Sequence, residues 1–415
     1  MKRSPAKERV DLISTYEPMV RAFVPGTFDG ARILEAAYQA DNSAQLSGLL
    51  LGVKDVICVD QYATRCGSNL PDQLFYQQQA SSVTRLLGAG AIMAGKTVTA
   101  EFAISDPGPT CNPRNLSFTP GGSSSGSAAA VAAGFCDIAL GTQTSGSVIR
   151  PAGYCGVIGF KPSFGRVALD GVVPYSKSMD HIGLFAKDMH TLALTVPCLI
   201  PDWKRSACVA IDTLAVGLPI GSYLNLAKVQ IIRHFSNNLQ FLRLNGCRLK
   251  PVELCKDIEI HNTSHDLIAN AELYQVHKQW LKNYWHLYKP LSREMLKIGR
   301  SVSPEKLSLK LEEAKATQIQ IRQLMDDKSI DLWLAPVAPD LAPEGLASTG
   351  DYRMNTFWSY TGLPVITLPT GTDSRNLPYS VQIIGKFGQD ESLFEASKQI
   401  NKLIGASRIL NSWNL

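Results

Sequence analysis

The chain has 415 residues, 45% of them hydrophobic, and its 41 basic and 36 acidic residues leave a formal net charge of +5. This apolar content is sufficient for a sizeable core, and the near balance of charge argues against nucleic acid or an anionic membrane surface as a partner. No run approaches the roughly 18 apolar residues of a membrane helix, and the charged N-terminal residues lack the apolar core of a signal peptide, so we expect a cytoplasmic protein.

Helical and strand patterns alternate along the first quarter of the chain. Hydrophobic periodicity predicts helices over residues 8–23 and 29–41, followed by a buried strand over Leu49–Val59. A helix over residues 80–89 and a strand over Ala91–Val98 come next. This order predicts a β/α arrangement around one sheet.

Lys54 lies in the centre of the first apolar strand. A buried lysine must reach water, find a partner or lose its proton, because burial disfavours the ammonium form. Asp55 is badly placed as its partner, since adjacent residues of a strand point to opposite faces. Lys54 is therefore a candidate base, although a lysine that reaches water at a strand end is the common alternative. Lys96, in a less apolar setting, is a second and lower-ranked candidate.

The central stretch, residues 119–166, is dominated by glycine, serine, alanine and threonine and carries almost no charge. Gly121–Gly126 precedes an alanine-rich helix predicted over Ser127–Phe135, and the first-turn amides of a helix are free to bind an anion or an oxygen. Close packing of the helix on a sheet would explain the glycines and alanines of this stretch. It does not explain the serines, which point to chemistry.

A strand predicted at Asp137–Leu140 leads into a loop of small residues that ends at Ser147. Loop amides that converge on one spot are what an oxyanion hole requires, and a serine at the end of the loop is the natural nucleophile. A second interpretation makes Ser124 the nucleophile, because Gly122–Gly126 satisfies Gly-x-Ser-x-Gly. That motif must directly follow a strand, whereas here a loop rich in proline and glycine precedes it.

These segments together resemble the signature of the amidase signature family. Three central segments carry the resemblance, GGSSSGSAAA at 121–130, LGTQTSGS at 140–147 and CGVIGFKPS at 155–163. Three outer segments extend it, GVKD at 52–55, PVITLP at 364–369 and LPYSVQ at 377–382. The resemblance implies an α/β fold with a mixed, twisted central sheet surrounded by helices. It implies one domain over residues 1–415, with a core of 25–205 and 328–400 and a variable, pocket-forming segment at 206–327.

The resemblance also implies a Ser-cisSer-Lys triad. Ser147 would be the nucleophile that forms the acyl-enzyme, Ser123 the serine on a cis peptide that relays a proton, and Lys54 the base. The separation of the two serines, 147 − 123 = 24, is the one that the family uses. The oxyanion hole and substrate-binding loop would be formed by the backbone amides of Thr144, Ser145, Gly146 and Ser147.

The implied function is hydrolysis of a small linear carboxamide to a carboxylic acid and ammonia or an amine. No metal and no organic cofactor is needed, and the expected partner is the small-molecule amide rather than nucleic acid or membrane. A homodimer is common in the family, while the sequence leaves the oligomeric state open. Two alternatives stay open as well: a glutamine-hydrolysing subunit of an amidotransferase complex, and a non-catalytic scaffold relative.

The central loop departs from the family's pattern at three positions. Gln143 stands where the family has an aspartate, and Ser145 stands where it has a glycine. Arg150 follows the nucleophile by three residues, where the family's arginine follows by two. These changes put the shape of the carbonyl-binding pocket in question.

The variable segment resembles the family least. A helix over Val229–Leu244, a strand near Arg248–Leu254 and a helix over Ala269–Tyr288 are predicted there. Its aromatic residues and its lack of a cation cluster favour an uncharged amide substrate. In the last of these helices an aromatic stripe either packs in the core, which we favour, or lines the substrate pocket; its members are Trp280, Tyr284 and Tyr288.

Overall fold

The computed structural model describes residues 5–104, 106–204, 206–207 and 209–404. The helices of the described residues are α1 (Pro5–Val20), α2 (Gly30–Gln39), α3 (Ser81–Gly88), α4 (Ser125–Ala132), α5 (Ile149–Cys155), α6 (Met189–Leu199), α7 (Val229–Leu244), α8 (Ile258–Tyr284), α9 (Pro290–Arg300), α10 (Pro304–Asp327), α11 (Arg353–Tyr360) and α12 (Asp390–Ile404). The strands are β1 (Leu50–Lys54), β2 (Ile92–Thr97), β3 (Ile138–Gln143), β4 (Ile158–Lys161), β5 (His181–Ala186), β6 (Ala215–Ile220), β7 (Arg248–Glu253), β8 (Leu332–Pro336), β9 (Val365–Thr372) and β10 (Pro378–Ile384).

The ten strands form one sheet in the order β2-β1-β3-β5-β4-β9-β10-β8-β6-β7. The outer strands pair in parallel, β1 with β2 and β3 on one side and β6 with β7 and β8 on the other. The five pairings in between are antiparallel. The fold is therefore α/β with a mixed sheet, as predicted.

Helices cover both faces of the sheet, and the side chains of most strands divide between two hydrophobic clusters. On β8, Leu332 and Leu334 belong to one cluster, whereas Trp333 and Ala335 belong to the other. This alternation follows from the period of two along a strand. A strand buried on both faces reads as a continuous apolar run, which is why LWLAP at 332–336 contains no charged residue.

The variable segment is part of this same sheet, to which it adds β6 and β7. Helix α7 matches its predicted bounds, but α8 begins eleven residues earlier than predicted, at Ile258 rather than Ala269, and ends at Tyr284. Tyr288 therefore lies beyond the helix and does not share a helical face with Trp280. Asp257 caps the start of α8 by accepting a hydrogen bond from the amide of Glu259.

Helix α4 is buried at all eight positions, so it packs as an internal element between the sheet and the rest of the chain. The small residues of α4 allow its backbone to approach the neighbouring segments closely. A Cβ on Gly126 would lie 2.2 Å from the carbonyl oxygen of Ala22 and 2.3 Å from the amide nitrogen of Val98, so no larger residue fits there. This close approach brings the start of α4, and Ser123 two residues before it, against the ends of the central strands.

None of the helices in the described part of the chain combines the length and the apolar character of a membrane-spanning segment. The eight cysteines of the described residues are all free, and six of them are buried.

Candidate active site

Lys54 is fully buried, but it ends strand β1 at Leu50–Lys54 and does not lie in the centre of a strand over Leu49–Val59 as predicted. Its Nζ lies 2.8 Å from Ser123 Oγ and 2.8 Å from Thr142 Oγ1, with the carbonyl oxygen of Thr142 at 3.3 Å. Burial lowers the pKa of Lys54 to about 7, although the charge of Asp180 opposes the shift. A lysine with this pKa has an appreciable neutral fraction near neutral pH and can accept a proton.

Lys96 is also fully buried, but its Nζ lies 3.0 Å from Asp55 Oδ1 and 2.9 Å from Thr64 Oγ1. The strand register pairs Val53 with Lys96 and Lys54 with Thr97. The two lysines therefore point to opposite faces of the sheet, and Asp55 points to the face of Lys96. The prediction that Asp55 does not pair with Lys54 is confirmed, and Lys96 is held in an ion pair away from Ser123.

Ser123 follows the cis peptide bond Gly122–Ser123. Both carbonyl groups at this position are held by the protein. Arg150 donates from Nη2 to the carbonyl oxygen of Gly122 at 2.7 Å, and the amide of Ala100 donates to that of Ser123 at 3.0 Å. Arg150 therefore supports the backbone that carries Ser123, which gives a structural role to the arginine whose position departs from the family's pattern.

Gln143 takes over the acceptor role that a carboxylate would have at its position. Its Oε1 accepts hydrogen bonds from the amides of Val148 at 2.8 Å and Ile149 at 2.9 Å, at the start of α5. Its Nε2 donates to Ser359 Oγ at 2.9 Å, a contact that a carboxylate cannot make. The amide side chain thus satisfies first-turn donors of α5 and sets the position of Ser147 just before the helix.

The loop from Thr144 to Ser147 has its carbonyl groups tied back into the protein. His265 Nε2 donates to the carbonyl oxygen of Thr144 at 3.0 Å, and Ser359 Oγ donates to that of Ser145 at 2.6 Å. The carbonyl oxygen of Gly146 accepts from the amide of Arg150 at 3.0 Å.

The amides of this loop are left without protein acceptors among the hydrogen bonds of the described residues. In a trans peptide the N–H points away from the C=O, so tying a carbonyl to one side turns the following amide to the other. Free, oriented amides next to a serine are the arrangement that can bind a developing oxyanion. A Cβ on Gly146 would lie 2.5 Å from Asn355 Oδ1, so this position has no room for a side chain.

Ser145, the second departure in the loop, lies at the cavity wall with its side chain half-buried. Because it faces open space, its hydroxymethyl group fits without displacing the loop. Thr144 is held by its side chain as well, since Oγ1 donates to Asp180 Oδ1 at 2.5 Å. Burial raises the pKa of Asp180 to about 6, while Thr144 and the amides of Ser176 and Tyr175 stabilise its ionised form.

A cavity of about 380 Å³ opens beside this loop. Ser145, Gly146 and Ser147 form part of its wall, and Ser147 is only 7% exposed. The variable segment supplies much of the remaining lining, which includes Thr263, Asp266, Leu267, Asn270, Met295 and Ile298. That segment therefore borders the cavity, and its role in forming a substrate pocket stays a prediction.

The cavity wall is more polar than the sequence indicated, because it includes Asp266, Arg150 and Lys306. The aromatic residues of the predicted stripe are absent from its lining. Trp280 and Tyr284 pack at the edge of the hydrophobic core, and Tyr288 is buried in it, as the core interpretation predicted. The expectation of an uncharged substrate rested on that segment's composition and stays a prediction.

The structure thus brings Lys54 to Ser123 and places Ser147 with the predicted loop at one cavity. The Gly-x-Ser-x-Gly alternative loses support, since Ser124 is fully buried and its hydroxyl donates to the carbonyl oxygen of Thr142. Sequence reasoning missed several residues that surround the site. Thr142 lies in a quoted motif, but only the fold shows that it contacts Lys54. The others reach the site from distant parts of the chain and lie in no motif; they are Asp180, His265, Asn355 and Ser359.

Comparison with known proteins identifies the family. The Amidase family model matches residues 7–394. A glutamyl-tRNA(Gln) amidotransferase subunit of Lachnospira eligens is 31% identical, over 89% of this chain and 88% of its own. The corresponding subunit of Prochlorococcus marinus is 27% identical, over 95% of this chain and 93% of its own.

Among solved structures, a crystal structure of an amidase superposes with a TM-score of 0.84 at 27% identity and covers 97% of this chain and 96% of its own. The family match spans nearly the whole described chain, and the fold agrees with it over the same length. The chain therefore belongs to the amidase family and is an amidase-type enzyme.

Proposed function

We propose that the protein hydrolyses a small linear carboxamide through a seryl acyl-enzyme. The observation that carries this proposal is the 2.8 Å contact between Lys54 Nζ and Ser123 Oγ, in a buried site where no carboxylate of the described residues pairs with the lysine. A base without a counter-ion is available to take a proton. The free amides beside Ser147 supply the second requirement, a place for negative charge on the carbonyl oxygen.

The first half of the reaction forms the acyl-enzyme. Neutral Lys54 takes the proton of Ser123, Ser123 takes the proton of Ser147, and Ser147 Oγ bonds to the amide carbon. The carbonyl electron pair moves onto oxygen, where the amides of the loop from Thr144 to Ser147 stabilise it. When the electron pair returns, the C–N bond breaks. The leaving nitrogen takes the proton back along the same relay and departs as ammonia or an amine.

In the second half, water attacks the ester carbon and gives its proton to the same relay. The C–O bond to Ser147 then breaks, Ser147 recovers its proton, and the carboxylic acid leaves. Atoms and electrons balance with water as the only co-reactant, so the proposed reaction needs no metal and no organic cofactor. The cavity of about 380 Å³ fits a small substrate, and most of its wall comes from residues outside the triad.

The test is intact-mass analysis after treatment with a fluorophosphonate, which labels activated serines. We expect one adduct, mapped to Ser147 by peptide analysis, that is lost in Ser147→Ala and greatly slowed in Lys54→Met. Ser124→Ala is the matched control, because Ser124 is a neighbouring buried serine outside the proposed triad, and it should still be labelled at Ser147. A folded wild type without an adduct would refute the hydrolase and favour the non-catalytic scaffold.

A second candidate function is hydrolysis of glutamine within an amidotransferase complex. The names of the curated relatives favour it, since several are subunits of glutamyl-tRNA(Gln) amidotransferase. Under this alternative the isolated chain would release little ammonia from glutamine and would co-purify with partner subunits. If the isolated chain hydrolyses simple amides, and glutamine is not a better substrate than these amides, the small-molecule amidase is supported instead.

The expected homodimer is tested by measuring the native mass of the same sample.

A further inference from the structure

A buried histidine of α8 links the cavity wall to the loop beside Ser147. His265 is fully buried, and its Nε2 lies 3.0 Å from the carbonyl oxygen of Thr144. A carbonyl oxygen only accepts, so this nitrogen carries the hydrogen. The other nitrogen, Nδ1, lies 3.1 Å from Asp266 Oδ1.

The carbonyl that His265 holds belongs to the same peptide group as the amide of Ser145. Since this peptide is trans, the Ser145 N–H must point away from the His265 ring. The next peptide is held in the same manner by Ser359 Oγ, at 2.6 Å from the carbonyl oxygen of Ser145. His265 therefore determines the direction of one of the amides proposed to bind the oxyanion.

Asp266 extends this contact to the cavity itself. Its side chain is 41% exposed and forms part of the cavity wall, and its Oδ2 accepts a hydrogen bond from Tyr352 at 3.2 Å. Tyr352 also lines the cavity. The order of contacts is Tyr352, Asp266, His265 and Thr144, which runs from the substrate side to the backbone of the loop.

A comparison on the same helix separates His265 from an ordinary core histidine. His277 is also fully buried on α8, but its Nδ1 contacts the hydroxyl of Tyr288 and its Nε2 has no hydrogen-bond partner in the described structure. Its ring packs against Phe102 and Trp280. Burial alone therefore does not account for the contacts of the His265 ring, because both of its nitrogens face oxygen atoms of the site.

We propose that His265 is a positioning residue that orients the Thr144–Ser145 peptide for oxyanion binding, with Asp266 holding its ring. The inference rests on the proposed function for the role of that peptide in catalysis. His265 touches no reacting atom. Its removal should lower the rate of the chemical step and leave ground-state binding of the substrate in place.

Kinetics of His265→Leu and His265→Gln, with His277→Gln as the matched control, test the proposal. For His265→Leu we expect kcat to fall by up to about 100-fold, because small misplacement of a group in the site has effects of that size. KM should stay near the wild-type value, and the rate of fluorophosphonate labelling should fall with kcat. His265→Gln should recover part of the loss, since its side-chain N–H still donates to the carbonyl, and His277→Gln should keep the wild-type kcat.

Hydrogen–deuterium exchange gives a readout that does not depend on turnover. In His265→Leu, exchange should rise in the peptide that contains residues 143–149 and stay unchanged in the rest of the sheet. Wild-type kcat and wild-type exchange in His265→Leu would overturn the inference, as would equal losses in His265→Leu and His277→Gln. A wild type that forms no Ser147 adduct, with exchange still raised by His265→Leu, would refute the proposed function and leave the positioning contact standing.

Discussion

Lys54 and Lys96 lie on neighbouring parallel strands, and both side chains are fully buried, yet their surroundings differ in one respect. The region around Lys96 contains the carboxylate of Asp55, at 3.0 Å from the ammonium nitrogen. The hydrogen bonds of Lys54 Nζ go to oxygens of Ser123 and Thr142, and Asp180, whose charge also acts on Lys54, forms no salt bridge with it in the described structure. The two regions therefore contain the same residue type, equally buried, with and without a carboxylate in direct contact.

The difference shows what separates a structural lysine from a candidate base. A buried ion pair stabilises the ammonium form, and removal of one partner leaves an uncompensated buried charge. Hydroxyls and a carbonyl compensate less, so burial takes the pKa of Lys54 down to about 7. The sheet keeps the two regions apart, because successive residues of β1 point to opposite faces.

The largest expected effect is the loss of the base. Lys54→Met should lower kcat by about 10²–10⁴, the usual contribution of a general base, with little change in the free energy of unfolding. Steady-state turnover and denaturant unfolding of the same preparation measure both quantities. Lys54→Arg serves as control and should not recover activity, since a guanidinium does not lose its proton in proteins. Near-wild-type turnover of Lys54→Met would show that Lys54 is not the catalytic base, and the functional distinction from Lys96 would then be lost.

The second prediction concerns stability rather than rate. Lys96→Met should lower the free energy of unfolding by about 3–5 kcal/mol, because it leaves Asp55 buried without its partner. The double variant Asp55→Leu/Lys96→Met should recover much of the lost free energy of unfolding. The folded fraction of the single and of the double variant should keep the wild-type turnover. Urea unfolding monitored by fluorescence measures the effect. If Lys96→Met lost turnover as Lys54→Met does, Lys96 would belong to the proton relay.

The third prediction is the pH dependence of the wild type. Lys54 accepts a proton only when it is neutral, so kcat/KM should be level above its pKa of about 7 and should fall as pH drops below that value. The fall approaches about tenfold per pH unit for a single group. Asp180, with a pKa raised to about 6, titrates in the same window. A rate that rises toward acidic pH would contradict the role of Lys54.

The smallest expected effect tests whether the presence of a carboxylate is what distinguishes the surroundings of Lys96 from those of Lys54. Thr142→Asp places a carboxylate beside Lys54 Nζ and should raise the pKa of Lys54 by at least about one unit, as an adjacent opposite charge does. The acid limb of the pH profile should move to higher pH, with about a tenfold loss at neutral pH. Thr142→Val removes the hydrogen bond without adding charge, so the acidic fall in kcat/KM should not move to higher pH. If the acidic fall stays at the wild-type pH in Thr142→Asp, it reports the titration of Asp180 and not that of Lys54.

Much of the architecture was predictable because it depends on local patterns. The period of the apolar residues located α7 to the residue and placed Lys54 in a strand buried on both faces. The rule that neighbours on a strand face opposite ways separates Asp55 from Lys54 on the basis of the sequence alone. The bounds of α8 were missed, since its polar first turns carry no clear apolar stripe and the helix is defined by its packing on α9 and α11.

The sequence by itself determined the fold class, the family and the residues that carry the proposed chemistry, because these reside in short segments whose spacing and residue types are read directly along the chain. Only the tertiary structure decided what surrounds them. Thr142 beside Lys54, Ser359 and His265 on the loop carbonyls, and the hydrogen bond that Gln143 donates to Ser359 all depend on contacts between distant segments. Hydrogen bonds of this kind require two groups to meet within about 3 Å, and the packing of the sheet and its helices sets that distance.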